Sequence, residues 1–155
     1  MKYILLIMIV ILAACSPEPE AINYGHDNCE YCKMTIMDPK FGAEVVTQKG
    51  KVYKFDAIEC MMDYMYDDDF TKDKIALYLI NTLNNPGELF DATIASYLIS
   101  YNLPSPMGAF LSGYEDANTA EAMYAEKDGK LYDWNSLNEL FKARFELINP
   151  NNNYE

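Results

Sequence analysis

This chain has one histidine, His26, to serve as an imidazole base or nitrogen ligand. It has no Gly-x-Ser-x-Gly elbow and no phosphate-binding loop. Those two absences leave hydrolysis and nucleotide chemistry without a motif, and no catalysis is expected. Cationic residues are also few: 12 Lys and Arg stand against 24 Asp and Glu, a net charge of −12. So acidic a chain is unsuited to grip nucleic acid or anionic lipid through its surface. The unbroken apolar run at the start, Ile4 to Leu12, falls short of the about 20 residues that a membrane span needs. Cysteine is scarce as well, with four residues at positions 15, 29, 32 and 60, whereas methionine is plentiful at nine.

The N-terminus reads as an export signal. Lys2 supplies the positive charge, the apolar run follows, and Leu12-Ala13-Ala14-Cys15 has the form of a bacterial lipobox. The expected layout is a signal peptide over 1–14, lipidation at Cys15 and a short Pro-rich acidic tether over 15–24. One folded domain is expected over 25–148, with halves at about 25–70 and 102–145, and a frayed tail over 149–155. Ser16 beside Cys15 favours the outer over the inner membrane. With Cys15 acylated, Cys29, Cys32 and Cys60 remain, an odd number for an oxidising compartment. Either a pair forms and one thiol is left over, or all three are held by something else.

Two segments repeat. Gly50-Lys51-Val52-Tyr53-Lys54-Phe55-Asp56-Ala57-Ile58 aligns with Gly129-Lys130-Leu131-Tyr132-Asp133-Trp134-Asn135-Ser136-Leu137. Preserved aromatic positions over this length suggest a duplicated supersecondary unit. Each copy reads as a turn at Gly, a short strand, a cap and an amphipathic helix. Asp56, with Glu59 three residues on, is the expected cap of the first helix and Asn135 that of the second. Ile58, Met61, Met62 and Met65 form one apolar stripe, and Leu137, Leu140 and Phe141 the other. Further strands are expected at Ala43–Gln48, Ile75–Ile80, Ile94–Tyr101 and from Ala109, a turn at Asn84–Gly87, and a helix over Glu115–Glu126. The fold class is α+β: two related ββα-type units forming a mostly antiparallel sheet with packed helices.

Four sulfurs crowd the segment Cys29-Glu30-Tyr31-Cys32-Lys33-Met34-Thr35-Ile36-Met37. Thiolate and thioether sulfur select Cu(I) over hard cations. Met107 stands between Pro106 and Gly108 in a stiff loop where a thioether has little packing to do. Met34 precedes the first repeat and Met107 the second, so pseudo-twofold symmetry would bring both loops to one edge. The expected metal ligands are Cys29, Cys32, Met34 and Met107. His26, Cys60 and Met37 are secondary candidates. Met37, Met61, Met62, Met65 and Met123 suit a core better than a site, and Cys60 is as well read as an inert buried thiol.

The lipobox, Cys-x-x-Cys-x-Met, Gly-Lys-x-Tyr-x-Phe-Asp with a following Cys-Met, and Ser-Pro-Met-Gly occur here in an order that resembles the NosL family. These are copper-binding accessory lipoproteins of nitrous-oxide reductase maturation. The resemblance spans about Cys29 to Phe141. It implies a lipid-anchored, periplasm-facing Cu(I) chaperone serving a transporter-type maturation complex and apo nitrous-oxide reductase, with two similar halves. Lys33 departs from the pattern, since the family often has Gly between Cys and Met. Two other readings stay open. Cys29 and Cys32 could serve a thiol–disulfide oxidoreductase, though no strand precedes them and Pro39 follows soon. His26, Cys29, Cys32 and Cys60 could hold zinc in a structural or sensing module.

Overall fold

A computed structural model describes residues 16–66 and 74–149. The signal peptide over 1–14, the lipidation residue Cys15 and the tail beyond Asn149 lie outside the described residues.

The first sheet begins where β-branched and apolar residues cluster. β1 (Ala43–Thr47) turns at Gln48–Gly50 into β2 (Val52–Phe55), with Gly50 at φ +79° closing the hairpin. After α1 (Ile58–Met65), β3 (Ile75–Thr82) pairs with the other edge of β1, and β4 (Asn85–Asp91) completes the order β2-β1-β3-β4. A 3₁₀ turn at Ala92–Ile94 leads into the second sheet: β5 (Ser96–Ile99), β6 (Leu111–Tyr114) and β7 (Lys130–Tyr132), in the order β6-β5-β7. α2 (Ala117–Lys127) precedes β7, and α3 (Trp134–Ile148) follows it. Every strand pair is antiparallel. The α+β class stands, with the strands divided between two sheets.

Several boundaries differ from the sequence expectations. The turn expected at Asn84–Gly87 lies at Leu83–Asn84, and Asn85, Pro86 and Gly87 already belong to β4. Pro86 is tolerated there because β4 is an edge strand. Neither expected helix cap holds. α1 has Ala57 at its N-cap with no side-chain cap, because Asp56 accepts a hydrogen bond from the Met37 N–H instead. α3 is capped by Asp133, two residues before Asn135, in a reciprocal box with Ser136.

The main core joins the two sheets with α1 and α3, and a smaller cluster of Leu98, Tyr114 and Ala120 seats α2. Val45, Phe55, Ile58, Met61, Met62, Ile80, Tyr97, Leu111, Leu137 and Phe141 are all buried in the main core, and so are Cys29 and Cys60. Gly113 in β6 makes the junction possible. A Cβ there would come within 2.5 Å of Ile80 Cδ1 on β3 and 3.2 Å of Ile58 Cδ1 on α1. The Leu83 N–H also donates to the Gly113 carbonyl at 2.9 Å, linking the end of β3 to β6.

The chain just before the sulfur segment is docked on the first sheet. The Glu20 N–H donates to the buried Glu44 carboxyl at 3.0 Å, Lys54 Nζ reaches the Ala21 carbonyl at 2.9 Å, and Ile22 is buried. Lys54 also pairs with Asp27 at 2.8 Å. Within the expected 15–24 tether, the chain is thus held to the first sheet from Glu20 onward. Burial pushes the Glu44 carboxyl up to about 7.

Candidate metal centre

Asn23 to Ile36 form a narrow loop held by its own backbone. The Gly25 N–H donates to the Ile36 carbonyl, the Ile36 N–H to the Asp27 carbonyl, and the Cys29 N–H to the Met34 carbonyl, at 2.8 to 2.9 Å. Lys33 sits at the tip with φ +63°. That left-handed backbone carries no penalty for glycine and costs an L side chain something. The position where Lys33 replaces the expected Gly is thus one that calls for Gly.

The loop is pinned to β2 through the Glu30 N–H, which donates to the Lys54 carbonyl at 2.8 Å. That places Cys29 at the end of β2, where the chain enters α1, and Cys60 lies in the first turn of α1. The sulfur atoms of Cys29, Cys32 and Cys60 all lie within 4.8 Å of one another. Two sulfurs bound to one ion at about 2.3 Å can be no more than about 4.6 Å apart, so small shifts would bring all three onto a single metal. All three thiols are free; Cys29 and Cys60 are buried and Cys32 half-buried. Cys60, a secondary candidate in the sequence, therefore belongs to the cluster. The signal that pointed to it was the odd cysteine count.

The three sulfurs are electrostatically unequal. Hydrogen bonding from the Cys60 thiol is the main force that holds Cys29 down, to about 5, against the opposing effect of burial. The backbone N–H groups of Asp56 and Cys32 add to it. Cys29 is a thiolate at neutral pH. Cys60 is pushed well up by donating to Cys29 and by burial, and Cys32 is raised chiefly by burial. One depressed thiol beside two raised ones favours a single charge in the metal-free cluster, which avoids packing three anions together.

Other candidates are placed differently. Among the described residues the Cys29–Cys32–Cys60 group is the one His/Cys/Asp/Glu cluster able to hold a metal, and the exposed His26 lies outside it. A zinc tetrahedron completed by His26 is therefore not assembled. Cys32 leads into the turn at Lys33 and the isolated bridge between Thr35 and Asn28, with no helix after it, so the context of a thiol–disulfide oxidoreductase is missing. Met34 is half exposed beside Cys32, whose sulfur accepts its N–H. Met37, expected in a core, is 65 % exposed, whereas Met61 and Met62 are fully buried.

Met107 approaches α1 from the second sheet. Ser105-Pro106-Met107-Gly108 is a turn closed by the Gly108 N–H on the Ser105 carbonyl at 3.1 Å, with Met107 39 % exposed at its corner. The Met107 N–H donates to Glu59 Oε1 at 3.3 Å, so the turn docks on α1 one residue before Cys60. Glu59, expected in a capping box, is instead buried, and burial raises its carboxyl against the Ser105 hydroxyl and nearby N–H groups. The sequence signal for it was a Glu set inside an apolar stripe.

Comparison with known proteins bears on the fold and the family. The solved copper chaperone NosL from Shewanella denitrificans has the same fold, with a TM-score of 0.66, 20 % identity, and coverage of 77 % of this chain and 94 % of that one. No curated protein matches the chain. The NosL family model matches residues 21–140, from the docked segment at Ala21 through both sheets and the cysteine cluster into α3. On that match, the chain belongs to the NosL family.

Proposed function

We propose that this protein is a Cu(I) carrier, anchored by lipid at Cys15 on the periplasmic face of a membrane, more readily the outer than the inner. It hands copper to the transporter-type machinery that matures nitrous-oxide reductase, and through it to the apo enzyme. It binds a cargo and catalyses no reaction. The observation that carries this reading is the convergence of three cysteine sulfurs within 4.8 Å. Soft thiolates select Cu(I). Cys29, Cys32 and Cys60 would form the inner set, with Met107 and Met34 as thioethers on the exposed side. Because Cys32 and Met107 remain accessible, a partner's sulfur can enter as one of these leaves, which permits transfer without free ion. Family membership and the fold shared with a solved copper chaperone support the same reading.

The test is an anaerobic titration of the reduced, copper-free full chain in detergent with Cu(I) against a chromophoric chelator, beside a parallel Zn(II) titration. One tightly held Cu(I), lost in Cys29→Ser and weakened in Met107→Leu, is the expected result. Zn(II) bound more tightly than Cu(I) would sink the copper reading. For the anchor, Cys15→Ser should move the protein from the membrane to the soluble fraction.

A further inference from the structure

Glu59 contributes nothing to the sulfur set, yet it occupies a place where an apolar residue would pack at no electrostatic cost. It is 2 % exposed, and its Oε2 is buried without a hydrogen-bond partner. Burying a carboxyl that is only half satisfied is unfavourable. Its other oxygen is the centre of a small network. Oε1 accepts the Ser105 hydroxyl at 2.5 Å and the Met107 N–H at 3.3 Å. Ser105 Oγ in turn accepts the Leu111 N–H at 3.3 Å, at the start of β6. These partners all lie in the 105–111 segment, which shares no strand pairing with α1. The carboxyl thus ties the Cys60-bearing helix to the Met107-bearing turn.

We infer that Glu59 is a positioning residue: it holds the Ser105–Gly108 turn against α1 so that the Met107 thioether is already beside the cysteines when Cu(I) arrives. The inference rests on the reading that Met107 is a ligand. Without Glu59 the segment would keep its strand ends and the packing of Ala109 on the core, but the turn would lose these hydrogen bonds to α1. Ordering it would then have to be done by the metal, and apparent affinity would fall by the fraction of time the turn is docked. Groups that orient a ligand without touching the metal are typically worth about 10- to 100-fold in affinity.

The experiment is a double-mutant cycle on Cu(I) affinity in the full chain, read against a chelator, with thermal melts of the copper-free variants to confirm folding. Glu59→Ala should weaken binding by about 10- to 100-fold. Glu59→Gln should recover most of that loss, because an amide oxygen can accept the same two hydrogen bonds. In the Met107→Leu background Glu59→Ala should cost nothing further. Ser105→Ala, which leaves the helix untouched, should show a smaller loss with the same dependence on Met107. Copper X-ray absorption of Glu59→Ala should count one sulfur fewer. An equal loss with and without Met107 would overturn the inference, since Glu59 would then act through the fold or Cys60. So would unchanged affinity in both Glu59→Ala and Ser105→Ala while Met107→Leu weakens binding. Unchanged affinity in Met107→Leu alone would remove Met107 from the ligand set, and the role of Glu59 with it.

Discussion

In the first repeat, β2 passes through Asp56 and Ala57 before α1 begins at Ile58, and no side chain caps the helix. In the second, β7 ends at Tyr132 and α3 begins at Trp134 under a complete capping box between Asp133 and Ser136. The aligned residues thus start a helix at different points. α3 meets its own N-terminal needs locally, as an ordinary surface helix does. α1 leaves its first turn facing the cysteine loop: the Asp56 N–H points at the Cys29 sulfur, the Asp56 carboxyl is occupied by Met37, and Cys60 donates to Cys29. The residue aligned with Cys60 is Glu139, which is exposed. Of the two aligned segments, one has a self-sufficient helix start and the other turns its helix start toward the Cys29 sulfur.

Six substitutions and a pH series can break or sharpen that contrast. The largest effect should come from the core. Met61→Ala, at a fully buried site on α1, should destabilise by about 2–5 kcal/mol, whereas its counterpart Leu140→Ala, at a partly exposed site on α3, should cost far less. Denaturant melts of both variants check it, and equal losses would make the two helices equivalent.

Cys60→Ser should weaken Cu(I) by about 100-fold or more, because a tight four-ligand metal site is worth roughly 10–16 kcal/mol in total. Glu139→Ser should leave copper binding untouched. If Cys60→Ser binds as well as wild type, the cluster reduces to the Cys-x-x-Cys pair.

Acidity provides the next test. Cu(I) binding must displace the protons of Cys32 and Cys60, whose thiols are raised, but none from Cys29, which is ionised above about 5. Affinity measured from pH 6 to 8 should therefore climb with pH, by about tenfold per unit for each proton released. The sign for the copper-free fold follows from Cys29 too. Its folded value lies below the 9.0 of a free thiol, so its stabilising contribution is complete above 9.0 and fades as pH falls toward about 5. A flat affinity profile would mean that binding displaces no proton, so that all three sulfurs are already ionised in the metal-free protein.

Smaller effects follow at the caps and the loop tip. Asp133→Ala should lower the melting temperature by a few degrees with copper binding unchanged. Lys33→Gly relieves a left-handed backbone but loosens the unfolded chain, so stability should change by less than about 1 kcal/mol. A large loss of Cu(I) in that variant would assign the Lys33 side chain a role that its exposed position gives no reason to expect.

Much of the fold could be read from sequence because its signals are local. β1, β2, β3 and α2 were legible from alternation, β-branched content and helix-favouring density within a few residues. β4 was not, since Asn85-Pro86-Gly87 has turn chemistry, and only pairing with β3 makes it a strand. Asp56 and Asn135 looked like caps because cap preferences are scored on residue type, whereas Asp56 was claimed by the Met37 N–H and Asn135 was overtaken by a helix that starts sooner.

The sequence by itself determined the chemistry available: soft sulfur in Cys-x-x-Cys-x-Met, a third thiol left over, a lone Met between Pro and Gly, and an excess of acidic over basic residues. Those properties belong to residue types and short spacings, so no fold is needed to read them. The tertiary structure alone decided which sulfurs meet. Cys60 is 28 residues beyond Cys32 and joins it because β2 carries the loop to the start of α1. Glu59 found its partners 46 and 48 residues away, on a turn from the other sheet. Contacts at such separations are set by how helices and sheets pack around a shared core, and no local pattern in the chain records them.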